Sequence, residues 1–444
     1  MNIAIISLGC PKNQVDADVF CHALIKAGHT TVADPAQADV ILINTCGFIE
    51  SAKAEAIENI LMACQYKQQN PDLKVVVTGC LAERYKQQII QEMPEVDAVI
   101  GIGSNKAIPA IIERVCTPGA GQVESYGPKS DMPLGGARVI STPQHYAYLK
   151  IAEGCNNRCH YCAIPLIRGG HVSVPMEELE EEARKLAAGG VKELIVIAQD
   201  ITKYGMDLPG HQRLLPELLR RLCEMDFHWV RLHYLYPDQI TDELVEVIAS
   251  EPKIVKYLDI PLQHVSKRIL RAMHRPGDVA EFSSLIASLR QRIPSLVLRT
   301  SLIVGLPGET EEEFAELCTF LQETQIERVG VFEFSPEEGT EAAELPDQID
   351  AAVKANRRLI VEELQSGVLD DYNTSRHGEV MEVLCEGFDE EQQLWYGRTY
   401  ADSVEVDGHV YFEAEDAPVA GGFVPVRITD SLGPDLLGVR QKGE

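Results

Sequence analysis

Three cysteines lie close together near the middle of the chain, at Cys155, Cys159 and Cys162. Their Cys-x-x-x-Cys-x-x-Cys spacing can bring three thiolates to one metal centre. Three protein ligands leave one position of a four-iron cluster, or of a zinc ion, open for a substrate. A structural zinc site needs a fourth ligand at finger spacing, and the ferredoxin run needs a fourth Cys just before a Pro; the sequence has neither here. The triplet therefore predicts an open, reactive metal centre, with a zinc site or simple buried thiols as the alternatives.

Three further cysteines share another placement, because each follows a run of residues typical of a buried strand. These are Cys10, Cys46 and Cys80, and Gly or Pro stands beside each of them. Parallel strands bring their carboxyl ends to one edge of a sheet, where α/β proteins bind ligands. We therefore expect the three thiols to converge on a second cluster. The alternative is that each is a small buried apolar residue, as we expect for the other six, Cys21, Cys64, Cys116, Cys223, Cys318 and Cys385.

Length and composition limit the classes of protein to consider. A chain of 444 residues is expected to form two or three domains. It has no run of eighteen uncharged apolar residues and no export signal at Met1, so we expect a cytoplasmic protein without a membrane span. The net charge is −28, which repels phosphate backbones and attracts basic partners. A general nucleic-acid binder is therefore disfavoured.

The pattern of elements predicts an α/β protein of three parts. Strands and helices alternate from Met1 to about Thr117, which predicts an open parallel sheet. Residues 118–140 are rich in Gly and Pro and are interpreted as a linker. Six strand–helix repeats follow within residues 141–373, which predicts a partial (β/α)6 barrel with the cysteine triplet after its first strand.

The last part, residues 374–440, changes rhythm to short β-like runs separated by turns. We expect five strands, among them Ser403–Val406, and Asp407-Gly408 as a hairpin turn, in a small antiparallel barrel. From Arg376 to Glu444 there are fifteen Asp or Glu against five Arg or Lys, a net of about −10. That charge favours a basic protein partner over RNA; an acidic surface that binds nothing is the alternative.

These features together resemble one family. The triplet, with Tyr161 before its last Cys, is similar to the signature of radical S-adenosylmethionine (SAM) enzymes, and Ser301–Glu309 to their fifth-strand motif. With the three dispersed cysteines and a TRAM-type barrel, nearly the whole chain resembles the radical-SAM methylthiotransferases. Ser7–Asn13, Asn44–Ile49 and Pro261–His264 resemble the RimO-type branch, which modifies an aspartate of small ribosomal subunit protein uS12.

The resemblance implies cofactors, sites and partners. Two 4Fe-4S clusters are implied, one held by the triplet and an auxiliary one held by Cys10, Cys46 and Cys80. Two SAM molecules serve the reaction, and a reductant such as flavodoxin or ferredoxin supplies electrons. The SAM contacts expected are Tyr161, Ile164, Gln199 and Gly305. The alternatives are a tRNA (adenosine) methylthiotransferase with the same chemistry, and a non-enzymatic iron–sulfur electron carrier or zinc scaffold.

Two positions depart from the family pattern, and one histidine is set aside. Val174 stands where relatives often have Arg, and Ile201 stands where relatives often have Thr. His264 is expected to be a satisfied structural group, because a lone His more often has that role than a catalytic one.

Overall fold

The computed structural model describes residues 1–441 and begins with a six-stranded parallel sheet, the N-terminal sheet, in the order β2-β1-β3-β4-β5-β6. Its strands are β1 (Asn2–Ser7), β2 (Thr30–Val32), β3 (Val40–Thr45), β4 (Lys74–Gly79), β5 (Ala98–Ile100) and β6 (Val123–Ser125). Its helices are α1 (Pro11–Lys26), α2 (Glu50–Gln65), α3 (Cys80–Glu92) and α4 (Ile108–Val115). Apolar residues fill the layers on both sides of the sheet, which is why β3 and β4 are runs of Val, Ile and Leu.

Two details of this part differ from the expectation. The segment interpreted as a linker contains β6, which pairs with β5 and adds a strand to the sheet. Helix α1 begins at Pro11, whereas the helical pattern of the sequence begins only at about Asp16, because Pro is favoured in the first turn and the extended Cys10 precedes it as N-cap. Cys10 is therefore held at the junction of a strand and a helix.

The central part is a second parallel sheet of six strands in the order β14-β13-β12-β11-β10-β7, the central partial barrel. Its strands are β7 (Tyr146–Lys150), β10 (Glu193–Ile197), β11 (Trp229–Leu232), β12 (Ile254–Asp259), β13 (Val297–Val304) and β14 (Arg328–Glu333). The helices around it are α5 (Ile164–Arg168), α6 (Met176–Ala188), α7 (Leu215–Cys223), α8 (Asp242–Ser250), α9 (Lys267–Ala272), α10 (Val279–Arg292), α11 (Glu311–Thr324), α12 (Glu341–Glu344) and α13 (Ala351–Ser375). The predicted α/β class and the six repeats are confirmed.

A short antiparallel pair, β8 (Ala152–Glu153) and β9 (Val172–Ser173), closes the base of the loop that carries the cysteine triplet. The sequence did not predict this pair.

Val174 and Ile201 are both buried in the apolar core of the central partial barrel, which explains the apolar side chains at these positions. His264 is fully buried and its Nδ1 accepts a hydrogen bond of 3.0 Å from the backbone N–H of Ser266. Burial lowers its pKa to about 4. Its Nε2 is buried without a hydrogen-bond partner among the described residues, so the expectation of a satisfied group is met at only one of the two ring nitrogens.

Residues after α13 form a closed five-stranded barrel, the C-terminal barrel, in the order β15-β16-β17-β19-β18. Its strands are β15 (Val380–Asp389), β16 (Leu394–Arg398), β17 (Val410–Glu413), β18 (Phe423–Leu432) and β19 (Asp435–Arg440). The barrel is confirmed, but β17 and β19 pair in parallel while the other pairs are antiparallel. The prediction of a strand at Ser403–Val406 is wrong, and β19 takes the fifth place.

The reason for that error is a tertiary contact. Residues 399–407 turn toward the central partial barrel, where the Ser403 hydroxyl lies 3.0 Å from His233 Nε2 and the Tyr257 hydroxyl donates to Asp407 at 2.7 Å. Asp407-Gly408 consequently is not a tight two-residue turn; it lies in the longer connection, residues 399–409, between β16 and β17, which pair antiparallel. None of the helices within residues 1–441 combines the length and the apolar composition that a membrane-spanning helix requires.

Candidate metal centres

The cysteine triplet lies beyond β7, at the carboxyl edge of the central partial barrel. Cys159 is buried, while Cys155 and Cys162 are partly exposed. The backbone N–H of Asn157 points at the Cys155 sulfur over 3.5 Å. The three thiols are near enough for an ionised Cys159 to raise the pKa of the other two. Burial raises the pKa of the Cys155 thiol to about 11 and that of Cys162 to about 12. A coordinated metal ion deprotonates such thiols outright.

Arg275 and Tyr236 surround the Cys159 sulfur. The Arg275 guanidinium donates to this sulfur at 3.6 Å, to the Tyr161 hydroxyl at 3.3 Å and to the Pro261 carbonyl at 2.7 Å. It also lies 4.3 Å from the centre of the Tyr236 ring, whose hydroxyl is 3.5 Å from the same sulfur. A buried cation beside a thiolate stabilises its negative charge. Sequence reasoning missed both residues, because neither belongs to a local motif.

The second set of cysteines gathers at the carboxyl ends of β1, β3 and β4, which are neighbours in the N-terminal sheet. Cys10 precedes α1, Cys46 follows β3, and Cys80 opens α3. Burial raises the pKa of the Cys80 thiol to about 12, and the three thiols are near enough for an ionised Cys10 to raise the pKa of both Cys46 and Cys80. The structure thus brings together three residues that are far apart in the sequence.

Two glycines permit this approach. Gly9 has φ +88°, and a Cβ on it would lie 2.9 Å from the Cys46 sulfur. Gly79 has φ +94°, and a Cβ there would lie 2.4 Å from the Thr45 carbonyl oxygen. Both conformations favour Gly, and both spaces exclude any other residue.

Helix α5 connects the two cysteine sets, because it begins two residues after Cys162 and packs against Cys80 of the other set. Cys80 packs against Ala163 and Ile167 of the segment that follows Cys162. On the same interface four buried charged residues form the bridging network, defined as Asp16, Lys150, Glu153 and Arg168. The Arg168 guanidinium donates to Asp16 at 2.8 Å and to Glu153 at 2.7 Å, and Lys150 lies 3.0 Å from Glu153.

The bridging network reaches both cysteine sets. Glu153 accepts from the backbone N–H of Gly154 at 3.2 Å, directly before Cys155. Arg168 donates to Asn13, whose carboxamide oxygen lies 3.8 Å from the Cys80 sulfur. Two acids and two bases balance in charge, so the network joins the sheets with little net charge.

A cavity of about 810 Å³ opens beside the cysteine triplet. Tyr161, Gln263 and Phe334 of the central partial barrel line it together with Phe48 of the N-terminal segment. Its size and its mixture of aromatic and polar walls suit a nucleoside-sized ligand.

The four residues expected to contact SAM have different positions. Tyr161 lines the cavity. Gln199 donates to Glu153 of the bridging network, and Ile164 begins α5. The Gly305 N–H donates to Glu309 at 2.7 Å, and the Lys354 side chain packs on this glycine. The roles of all four as cofactor contacts stay predictions.

The chemistry of the donor sets fits iron–sulfur clusters. Each set offers sulfur donors, three in number, which suits a four-iron cluster with one iron left for another ligand. Among residues 1–441, no three His, Cys, Asp or Glu side chains are grouped as ligands of a single metal ion. In a cluster, by contrast, the thiolates bind separate irons.

Comparisons with known proteins agree with this architecture. Residues 2–101 match the family described as Uncharacterized protein family UPF0004, residues 149–321 match the Radical SAM superfamily, and residues 378–440 match the TRAM domain. Two relatives are named "Ribosomal protein uS12 methylthiotransferase RimO". The one from Lachnoclostridium phytofermentans is 45% identical over 99% of this chain and 100% of its own length. The one from Caldanaerobacter subterraneus subsp. tengcongensis is 47% identical over 98% and 99%.

Solved structures show the same fold at low identity. The radical SAM methyltransferase TsrM from Kitasatospora setae, with cobalamin and a [4Fe-4S] cluster bound, is 13% identical with a TM-score of 0.57, over 77% of this chain and 76% of that one. The cobalamin-dependent radical enzyme OxsB, with aqua-cobalamin and S-adenosylmethionine bound, is 11% identical with a TM-score of 0.52, over 82% of this chain and 56% of that one.

Proposed function

This chain belongs to the RimO family of ribosomal protein uS12 methylthiotransferases, which are radical SAM enzymes, and on that premise we propose that it adds a methylthio group to the β-carbon of an aspartate of uS12. The observation that carries the proposal is the convergence of two sets of three thiols at neighbouring places, since α5 begins two residues after Cys162 and packs against Cys80 of the other set. Both sets can then act on one substrate that lies between them.

Membership of the radical SAM superfamily implies a 4Fe-4S cluster and SAM. In the proposal, Cys155, Cys159 and Cys162 hold this cluster, and Cys10, Cys46 and Cys80 hold a second one. The β-carbon of aspartate bears an unactivated C–H bond that no side-chain base can deprotonate at neutral pH. When bound, the first cluster and SAM supply a hydrogen-abstracting radical, while the second cluster and a further SAM supply the methylated sulfur.

The protein's own residues hold and shield these groups. Arg275 places a positive charge against Cys159 and fixes Tyr161 at the wall of the 810 Å³ cavity. We assign SAM to this cavity, with Tyr161 as a direct wall and Ile164, Gln199 and Gly305 as the remaining proposed contacts. The bridging network keeps the two cysteine sets in a fixed relation, which positioning chemistry requires.

The three parts of the chain then have separate tasks. Residues 1–117 carry the second cluster, residues 141–373 carry the first, and residues 374–440 contact the protein substrate. The acidic charge of the last part suits a basic ribosomal protein. A cytoplasmic location with a small reductant such as flavodoxin or ferredoxin completes the proposal.

The test uses anaerobically reconstituted enzyme, which is expected to hold about eight irons in two four-iron clusters. Changing Cys155, Cys159 and Cys162 together to Ala is expected to halve the iron and abolish formation of 5′-deoxyadenosine. Changing Cys10, Cys46 and Cys80 together is expected to halve the iron and leave 5′-deoxyadenosine formation intact, but to stop methylthio transfer. The matched control is Cys385→Ala, in the core of the C-terminal barrel. It should change neither the iron content nor the formation of 5′-deoxyadenosine.

Substrate identity is tested by mass spectrometry after separate incubations with ribosomes and with tRNA. A mass increase of uS12 by one methylthio group supports the proposal. Modification of tRNA with none of uS12 would replace it by the tRNA-modifying activity. Zinc in place of iron, without SAM turnover, would favour a structural metal scaffold.

A further inference from the structure

Lys12 places a buried ammonium group between the N-terminal sheet and the central partial barrel. The residue is 7% exposed, although lysine is among the residues that are least often buried. It belongs to the first turn of α1, two residues after Cys10. Its Nζ lies 3.6 Å from the centre of the Tyr234 ring, just beyond the carboxyl end of β11. The ammonium is therefore at the mouth of the barrel, beside the proposed second cluster.

The carboxylates nearest to this mouth already have partners. Asp16 and Glu153 are bound by Arg168 and Lys150 within the bridging network. Asp259 lies 3.0 Å from Arg299 and also accepts from the backbone N–H of Tyr234 at 3.3 Å. Throughout residues 1–441, no carboxylate lies within ion-pair distance of the Lys12 ammonium. The buried ammonium groups of Lys150 and Lys53, by contrast, each have a carboxylate at that distance.

A buried charge without a counter-ion is costly to the folded protein. The face of Tyr234 compensates part of this cost through a cation–π contact. Tyr234 itself has φ +68°, an uncommon conformation for a residue with a side chain, and such conformations gather at functional sites. A cation that faces the Tyr234 side chain and the Cys10 thiol, with no carboxylate of residues 1–441 at ion-pair distance, is thus available to a carboxylate that comes from outside the chain.

We propose that the Lys12 ammonium binds the side-chain carboxylate of the substrate aspartate and that this contact determines specificity for aspartate. The inference rests on the proposed function, which supplies a carboxylate substrate. In aspartate the β-carbon is bonded directly to the carboxyl carbon, so a held carboxylate places the β-carbon within one bond of a fixed point. That point lies over Tyr234 at the mouth of the central partial barrel and beside Cys10, where the proposed reaction removes hydrogen and delivers sulfur.

The experiment compares holoenzymes carrying Lys12→Met, which keeps the length of the side chain without its charge, and Lys12→Arg, which keeps the charge. Lys26→Met is the matched control, because Lys26 is exposed at the other end of the same helix. Each enzyme is given uS12 and a uS12 variant with the modified aspartate changed to asparagine. The measured quantities are kcat/KM for methylthiolation, 5′-deoxyadenosine formed without uS12, and iron content.

Loss of one charge-assisted hydrogen bond predicts that Lys12→Met lowers kcat/KM for uS12 roughly 10- to 150-fold. The unmodified enzyme should prefer aspartate over asparagine, and Lys12→Met should show no such preference. Lys12→Arg should retain the preference, and Lys26→Met should match the unmodified enzyme. Iron content and 5′-deoxyadenosine formation without uS12 should stay unchanged in all variants, which also shows that they fold.

Two results would overturn the inference alone. An undiminished preference for aspartate in Lys12→Met would show that another group binds the carboxylate. Loss of about four irons in Lys12→Met would show that the ammonium serves the second cluster instead. If the unmodified enzyme does not methylthiolate uS12 at all, the proposed function itself fails, and the inference that rests on it fails with it.

Discussion

Replacing Glu193 with Gln tests what holds the C-terminal barrel against the rest of the protein. The Glu193 carboxylate lies between two buried guanidiniums, 2.6 Å from Arg231 and 2.7 Å from Arg398 of the C-terminal barrel. The Arg231 guanidinium also donates to the Tyr400 carbonyl at 2.9 Å. All three charged side chains are at most 1% exposed. The substitution leaves the Arg231 guanidinium buried without a carboxylate partner in the described part of the chain, while Arg398 keeps only Glu386, at 2.8 Å.

The lowered pKa of Glu193 determines how much stability the substitution should remove. Burial alone would raise this pKa, but Arg398 and Arg231 outweigh it and hold the pKa at about 2, against an ordinary 4.5. A pKa lowered by that amount corresponds to about 3 kcal/mol of stability at neutral pH. Removing one partner from a buried ion pair costs a similar amount, about 3–5 kcal/mol. We therefore expect Glu193→Gln to destabilise the docked state by about 3 kcal/mol.

Tryptophan fluorescence during urea denaturation measures this loss. The chain has two tryptophans. Trp229 contacts Phe423 of the C-terminal barrel with ring centres 4.8 Å apart, and Trp395 lies in that barrel. A loss of about 3 kcal/mol lowers the urea midpoint by about 1 M or more. The control is Glu181→Gln, which breaks an ion pair whose partners are both 67% exposed and should leave the midpoint unchanged.

The pH dependence of the stability toward urea is a second test of the Glu193 charge. Because the pKa of Glu193 is lowered in the folded protein, its contribution is complete above the unfolded pKa and is lost as pH falls toward about 2. The difference in urea midpoint between the unmodified protein and Glu193→Gln should therefore become smaller as pH falls below about 4. Equal midpoints for the Glu193 and Glu181 variants, or a difference that stays constant down to pH ~3, would refute the argument.

Three further predictions concern the cysteine sets. Gly79→Ala adds a Cβ 2.4 Å from the Thr45 carbonyl oxygen and should disturb the second cysteine set, so the iron content should fall from about eight to about four per chain. The control is Gly28→Ala, because Gly28 has a similar φ of +88° but open space around it. This variant should keep all its iron, which would exclude an effect of the backbone conformation alone. Arg275→Met removes the cation beside Cys159 and should slow 5′-deoxyadenosine formation by about tenfold or more, measured by chromatography; an unchanged rate would show that Arg275 has no part in SAM cleavage. Ala in place of Cys64 or Cys223, which lie outside both sets, should leave the iron content unchanged, and a loss of iron would reassign the ligands.

The sequence by itself determined the features that arise from neighbours along the chain. The alternation of apolar runs and helical patterns determined both parallel sheets, because a strand or helix with a buried face shows its period locally. The spacing of Cys155, Cys159 and Cys162 indicated a metal centre for the same reason. The placement of Cys10, Cys46 and Cys80 after strands predicted their approach, because parallel strands end at one edge of a sheet.

Tertiary structure alone decided the features that join distant segments. Residues 403–406 have the composition of a strand, but the contacts of Ser403 with His233 and of the adjacent Asp407 with Tyr257 override that preference, because β propensity depends on context. Arg275 reaches Cys159 across 116 positions of the chain. Lys12 lies in an ordinary helix start, and its importance arises from burial over Tyr234 while the nearby acids are already paired. Burial and charge pairing are properties of the folded surroundings, so no local pattern records them.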